Sequence, residues 1–246
     1  EPAPDPSGAV AESPPFPKLG VSLALLRLLG SLVPAGETTA EACSSRCKPR
    51  AARARCSVAD AVARLGLSAP NGAPFVAPAT VFASHAWRYE FALLLAALAA
   101  FAEAQPEPEQ VYVWFDCLTV NQHATATLPQ EWWSTAFAAG VREIGHTCLV
   151  LAPWRSPVPL TRAWCLWELL CSVESEATLT VQLPPSEAEG FAKALVSDFE
   201  SIATSMAAID VRKAEAFKAE DEQMIRRAVE LGAGFTMLNK LVSGQL

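Results

Sequence analysis

Four short apolar runs, each followed by a stretch with helical spacing, restrict this chain more than any other feature. They are ATVFAS at 79–84, VYVWFD at 111–116, TCLVLA at 147–152 and ATLTVQL at 177–183. Apolar runs of this length, bounded by turn residues, suit strands buried on both faces. Helical patterns follow them at about 88–104, 130–143 and 161–173, which is the βαβ alternation of a parallel sheet. Right-handed crossovers then place helices on both faces. The pattern predicts an α/β fold, a doubly wound, flavodoxin-like and mostly parallel sheet of about four to five strands.

The flanks read differently. Residues 1–17 carry six prolines and little hydrophobic pattern, so a Pro-rich flexible leader is expected. Residues 18–70 predict an N-terminal helical extension of two helices joined near 34–36. Within it, the stretch 46–55 (RCKPRAARAR) places five basic side chains in ten positions. That stretch reads as a solvated helix face or as an anion or partner contact. The α/β domain then occupies 71–184. Residues 185–246 form a C-terminal helical extension, with Phe191, Leu195, Phe199 and Ile202 on one helical face.

Composition narrows the function classes. With 51% apolar and 18% charged residues the chain can build a core, which excludes general disorder. The formal charge of −7 argues against a general nucleic-acid binder. The apolar runs at 21–33 and 91–102 fall short of the roughly 20 residues a spanning helix needs, so no membrane span is expected. No basic n-region opens the chain, and no signal peptide is expected. Seven cysteines without a C-x-x-C pair suit a reducing, cytoplasmic compartment. Three scattered histidines, and Cys43, Cys47 and Cys56 at loose spacing, make a weak case for a metal. Neither GxGxxG after a strand nor GxxxxGK[ST] is present.

Ligands of open parallel sheets bind outside the strand carboxyl ends. That rule selects Ser84, His85, Trp87 and Arg88 after the first run, and Asp116 and Asn121 after the second. It selects Trp154 and Arg155 after the third, then Arg162, Trp164, Cys165 and Glu168 on the next helix. Glu168 is the only charged residue between Arg162 and Glu174, among Trp, Cys and Leu. A carboxylate in such surroundings is either paired, as a structural or active-site ion pair, or raised in pKa by desolvation. A cleft lined there by Ser84, His85, Asp116, Trp154 and Glu168 would favour a ligand site, whereas Glu168 pointing into packed core would end the catalytic reading.

These same residues carry a resemblance. Trp164, Cys165, Leu166, Trp167, Glu168 and Leu169 resemble the W-C-L-x-E-L helix of Toll/interleukin-1 receptor (TIR) domains, especially those of plant immune receptors. The segment 81–87 (VFASHAW) looks like the first TIR strand and its box. The segment 114–122 (WFDCLTVNQ) resembles the W-I-D-x-x-C-I-N-Q signature of fungal heterokaryon-incompatibility domains, with Thr119 where that signature has Cys. The resemblance implies a TIR-like signalling domain in which Glu168 is the catalytic carboxylate of NAD+ cleavage, a hydrolase reaction at the nicotinamide–ribose bond. NAD+, or a related nucleotide, would be the substrate, and no cofactor is implied. Self-association, or association with other TIR-like domains, would complete the site. The same resemblance also accommodates a non-catalytic interaction module in intracellular defence signalling. A nucleoside or nucleotide hydrolase is a third expectation.

Overall fold

A computed structural model describes residues 14–125 and 128–244. The four expected strands are β3 (Val81–Ser84), β4 (Tyr112–Trp114), β5 (His146–Val150) and β6 (Thr178–Gln182). Two more precede them, β1 (Leu19–Ser22) and β2 (Val76–Pro78). The sheet is therefore six-stranded, in the order β2-β1-β4-β3-β5-β6. β3 pairs in parallel with β4 and β5, and β5 with β6. β1 runs antiparallel to both of its neighbours, so the sheet is mixed but mostly parallel.

β1 corrects the helical reading of its segment. The apolar run 19–33 looks continuous, yet Ser22 divides it. Its hydroxyl accepts from the Leu25 backbone N–H at 3.3 Å, the N-cap geometry that starts a helix and ends what precedes it. The strand stops at Ser22 and α1 (Leu23–Leu32) begins. Gly20 makes the pairing with β4 feasible. A Cβ there would lie 2.7 Å from the Tyr112 carbonyl carbon and oxygen, so the two backbones approach too closely for any side chain.

After α1 the chain makes α2 (Thr39–Ala42), a five-residue π-turn (Cys43–Cys47), α3 (Lys48–Ala51) and α4 (Val58–Arg64). Capping boxes start α2 and α4, through Thr38 with Glu41 and Ser57 with Asp60. The crossovers are α5 (Phe91–Glu103), α6 (Asp116–Thr119) with α7 (Gln130–Ile144), and α8 (Ala163–Glu174). The C-terminal helices are α9 (Pro185–Ser197), α10 (Phe199–Ala207), α11 (Ala219–Leu231) and α12 (Phe235–Ser243).

Strand alternation distributes the core to the two sides of the sheet. Val81, Ala83, Val113 and Cys148 join Leu26 of α1 and Leu94 and Leu98 of α5 in one cluster. Phe82 and Trp114 belong to a second cluster with Trp132, Phe137 and Val141 of α7. The rings of Phe82 and Trp114 stack at 4.8 Å, and Phe137 meets Phe82 edge-on at 5.3 Å. Leu149 joins Leu166, Leu169 and Leu170 of α8, covered in turn by Ile225 and Val229 of α11 and Leu238 of α12. The C-terminal helices thus complete the core.

Of the proline-rich stretch, residues 1–13 lie outside the described residues. Phe16 is buried and stacks on Trp114 at 5.0 Å, so residues 14–17 pack on the sheet rather than trail from it. Among the described residues no helix is long and apolar enough to cross a membrane.

Gly20→Ala should lower stability by roughly 1–3 kcal/mol, the range for forcing extra volume into a packed site. Gly30→Ala, where the nearest atom to a new Cβ is 4.0 Å away within α1, should be neutral or stabilising by about 0.5–1 kcal/mol. Urea denaturation of both variants checks the pair.

Candidate active site

β3 and β4 end beside the N-terminal half of α8, and the chain at those ends is polar. Ser84 is the last residue of β3 and is fully buried. Its hydroxyl donates a short hydrogen bond to Glu168 Oε2. Glu168 sits one turn along α8 from Trp164, so both reach the same side of the helix. Together with His85, Trp87, Asp116 and Arg162 they line a cleft of about 600 Å³, a volume suited to a small-molecule ligand.

Asp116 organises one wall. Trp87 Nε1 donates to its Oδ2 at 2.6 Å, and the Cys117 backbone N–H donates to its Oδ1 at 2.7 Å. His85 Nε2 lies 3.4 Å from Oδ1 but makes no hydrogen bond among the described residues. The His85 ring packs edge-on against Phe115 at 4.9 Å. Burial holds its pKa below the ordinary value, despite the Asp116 charge and a contact with the Ala83 carbonyl that act the other way. Near neutral pH His85 is therefore a neutral imidazole.

Glu168 behaves oppositely. Burial pushes its pKa up to about 8; the hydrogen bond from Ser84 opposes this, the nearby Asp116 charge adds to it, and Arg162 opposes it. Removing a carboxylate from water without a fully paired cation disfavours its charged form. At neutral pH the group is mostly protonated in the free protein. Cys165, one residue from Trp164, donates its thiol to the His85 carbonyl at 3.3 Å and also lines the cleft. Burial, first, and the Glu168 charge push its thiol pKa well up, so it is not a nucleophile at rest.

Aromatic and cationic side chains complete the cleft. Trp133 of α7 faces Trp164 of α8 across 6.1 Å between ring centroids. Lys48 and Lys218 line it with Arg162, and none of these three cations forms a salt bridge among the described residues. Among the described residues, no group of three or more His, Cys, Asp or Glu is placed to hold a metal.

The structure gathers His85, Trp87, Asp116, Arg162, Trp164, Cys165 and Glu168 at the cleft, with Ser84 behind Glu168. Four other candidates lie elsewhere. Trp154 is buried against Phe191, at 5.3 Å between rings, and its backbone N–H is held by Glu187 of α9. Arg155 stacks on Trp154 at 4.2 Å and reaches Asp198. Both were expected at the ligand, but the turn after β5 carries them under α9 and α10. Arg88 hydrogen-bonds the Thr161 hydroxyl at 3.3 Å, and Asn121 donates to the Arg55 carbonyl at 2.9 Å; neither lines the cleft.

Sequence reasoning did not place Cys43, Trp133 or Lys218 at this site. The basic run at 46–55 was a usable signal for Lys48, and the Trp132–Trp133 pair for an exposed indole. Lys218 had none, because only the packing of α11 on α8 brings it there. No family model, curated protein or solved structure matches the chain.

The raised Glu168 pKa makes a stability prediction. The folded state binds a proton that the unfolded state has lost between about pH 4.5 and 8, so stability falls as pH rises through that window. Glu168→Gln should flatten this dependence and exceed the parent protein's stability at pH 9 by on the order of a few kcal/mol. Urea midpoints from pH 5 to 9 provide the measurement; parallel curves for the two proteins would contradict it.

Proposed function

We propose that this cleft cleaves the nicotinamide–ribose bond of NAD+, with Glu168 as the catalytic carboxylate of a TIR-like, doubly wound domain of flavodoxin-like style. The observation that carries the reading is a carboxyl hydrogen-bonded by one serine, opening on a cleft with indole walls and three cations that form no salt bridge among the described residues. Each feature answers one part of a dinucleotide. Indole faces suit the flat nicotinamide and adenine rings. Lys48, Arg162 and Lys218 suit the diphosphate despite the acidic chain as a whole.

The chemistry follows from the pKa. The pyridinium nitrogen of bound NAD+ is a cation, and an approaching cation favours the carboxylate form of Glu168. Substrate binding therefore expels the Glu168 proton. As the C1′–N bond breaks, its electron pair leaves with nicotinamide and positive charge develops on the ribosyl carbon. The Glu168 carboxylate stabilises that oxocarbenium-like state. Water then adds at C1′ and releases a proton, giving ADP-ribose. Seven unpaired cysteines suit the cytoplasmic setting that such a substrate implies.

A second reading, a non-catalytic interaction module, is favoured by a different observation. Val196 and Phe199, at the junction of α9 and α10, are 91% and 66% exposed. Apolar residues grouped on a surface mark contact sites, and self-association or another TIR-like domain would cover them. In this reading neither the parent protein nor Glu168→Gln turns over NAD+ at any protein concentration.

Concentrated protein should release nicotinamide from NAD+, and Glu168→Gln should lower kcat/KM by about 100-fold or more, read by chromatographic nicotinamide assay. The pH profile supplies a sign. Because the carboxylate is the active form, kcat/KM should fall with each unit below about pH 8. The kcat plateau should extend to lower pH, since bound pyridinium keeps the proton off. A kcat/KM that rises on acidification would overturn the assigned role.

A further inference from the structure

Asp116 lines the cleft, and the chemistry assigned to Glu168 makes no use of it. The residue is locked at both ends. Its backbone carbonyl accepts from Gln122 Nε2 at 2.8 Å and from the Val120 N–H at 3.0 Å. Its carboxylate takes the Trp87 indole N–H on Oδ2 and the Cys117 N–H on Oδ1. The side chain nevertheless stays 25% exposed, against 3% for the His85 side chain beside it, so a ligand in the cleft can reach it.

Counting acceptor sites shows what the lock leaves over. An ionised carboxylate offers about four lone-pair sites, two on each oxygen. Trp87 fills one site on Oδ2 and Cys117 fills one on Oδ1, so each oxygen keeps one. His85 does not fill them, because its Nε2, 3.4 Å from Oδ1, makes no hydrogen bond among the described residues. Two open acceptor sites on one rigid carboxylate complement two donors carried on adjacent atoms.

We propose that Asp116 holds the 2′ and 3′ hydroxyls of the nicotinamide-side ribose, each carboxylate oxygen accepting from one hydroxyl. The assignment rests on the NAD+ reading of the cleft and adds which part of the substrate lies where. Ser84 and His85 are consecutive; the first bonds Glu168 and the second touches Asp116. The two carboxyl groups therefore meet the cleft at neighbouring points beyond the end of β3. With Glu168 against C1′, the hydroxyls one and two carbons further round the ring fall beside Asp116. The diphosphate does not suit this position, since a fixed carboxylate repels it, and Lys48, Arg162 and Lys218 line the cleft for it. Because the protein holds the carboxylate in place before the ligand arrives, binding costs little ordering there. The consequence is selectivity. A site built to accept from hydroxyls rejects a ligand that lacks them, because its acceptors are then left unpaired.

The test is calorimetric binding to Glu168→Gln, in which turnover is too slow to interfere. The ligands are NAD+, its 2′-deoxy and 3′-deoxy analogues on the nicotinamide-side ribose, and the analogue whose pyridine ring lacks the carboxamide. Each missing hydroxyl should weaken binding by about tenfold or more. With Asp116→Asn added, NAD+ itself should bind more weakly and the penalty for a missing hydroxyl should shrink. The penalty for a missing carboxamide should not change. Should the Asp116→Asn protein fail to fold, NAD+ against its deoxy analogues with Asp116 in place decides the matter. Deoxy analogues that bind as tightly as NAD+ would overturn the assignment and leave cleavage at the cleft standing, as would a carboxamide penalty that disappears with Asp116→Asn. Hydroxyl-dependent binding without nicotinamide release by the unmutated protein would refute cleavage and uphold the assignment. Failure of NAD+ to bind would overturn both.

Discussion

The hydrogen bond from Ser84 to Glu168 joins the central strand to the helix that follows β5, and the site depends on that junction. It forms only because β3 is paired on both sides and buried along its whole length. Burial sets the local dielectric, and the dielectric keeps Glu168 protonated at neutral pH. One serine hydroxyl does not compensate a carboxylate for the water it has lost. The site is thus poised to release a proton when a cation arrives, and the stabilisation of the fold and the ionisation of the carboxyl become linked quantities.

Around this junction the parts outside the βαβ alternation do more than cover surface. The N-terminal segment supplies β1 and β2, which close one edge of the sheet, and then carries Cys43 and Lys48 to the cleft. The C-terminal helices bury α8 from the outside and deliver Lys218 to the same cleft. Carboxylates, an imidazole and indoles line the cleft together with Cys43 and Lys48.

Much of the sheet was legible because buried parallel strands need apolar residues at every position. β3, β4 and β5 fall within the runs marked by that rule; β6 falls within the remaining run, but it is an edge strand with no buried residue, so burial on both faces is not what makes it apolar. β1 was hidden because LGVS runs directly into the apolar face of α1, and only the Ser22 cap separates them. β2 is three residues long and follows a turn, too short for any periodicity to register. The cleft lining was legible where a polar side chain directly follows a strand, as at His85 and Asp116, or lies on the helix beside it, as at Glu168. It was misread at Trp154 and Arg155, since strand-end position says where a residue starts and not which layer its loop then enters.

The sequence by itself determined the α/β alternation, the strand-end placement of the polar residues and the isolation of Glu168 among apolar neighbours. Those features are local, set by side-chain period and by residues a few positions apart. Only the tertiary structure decided which cations face the carboxyl, which tryptophans form walls and which cysteines line the cleft. Those relations join segments far apart in the chain, such as Lys48, Glu168 and Lys218, and packing rather than periodicity sets their distances.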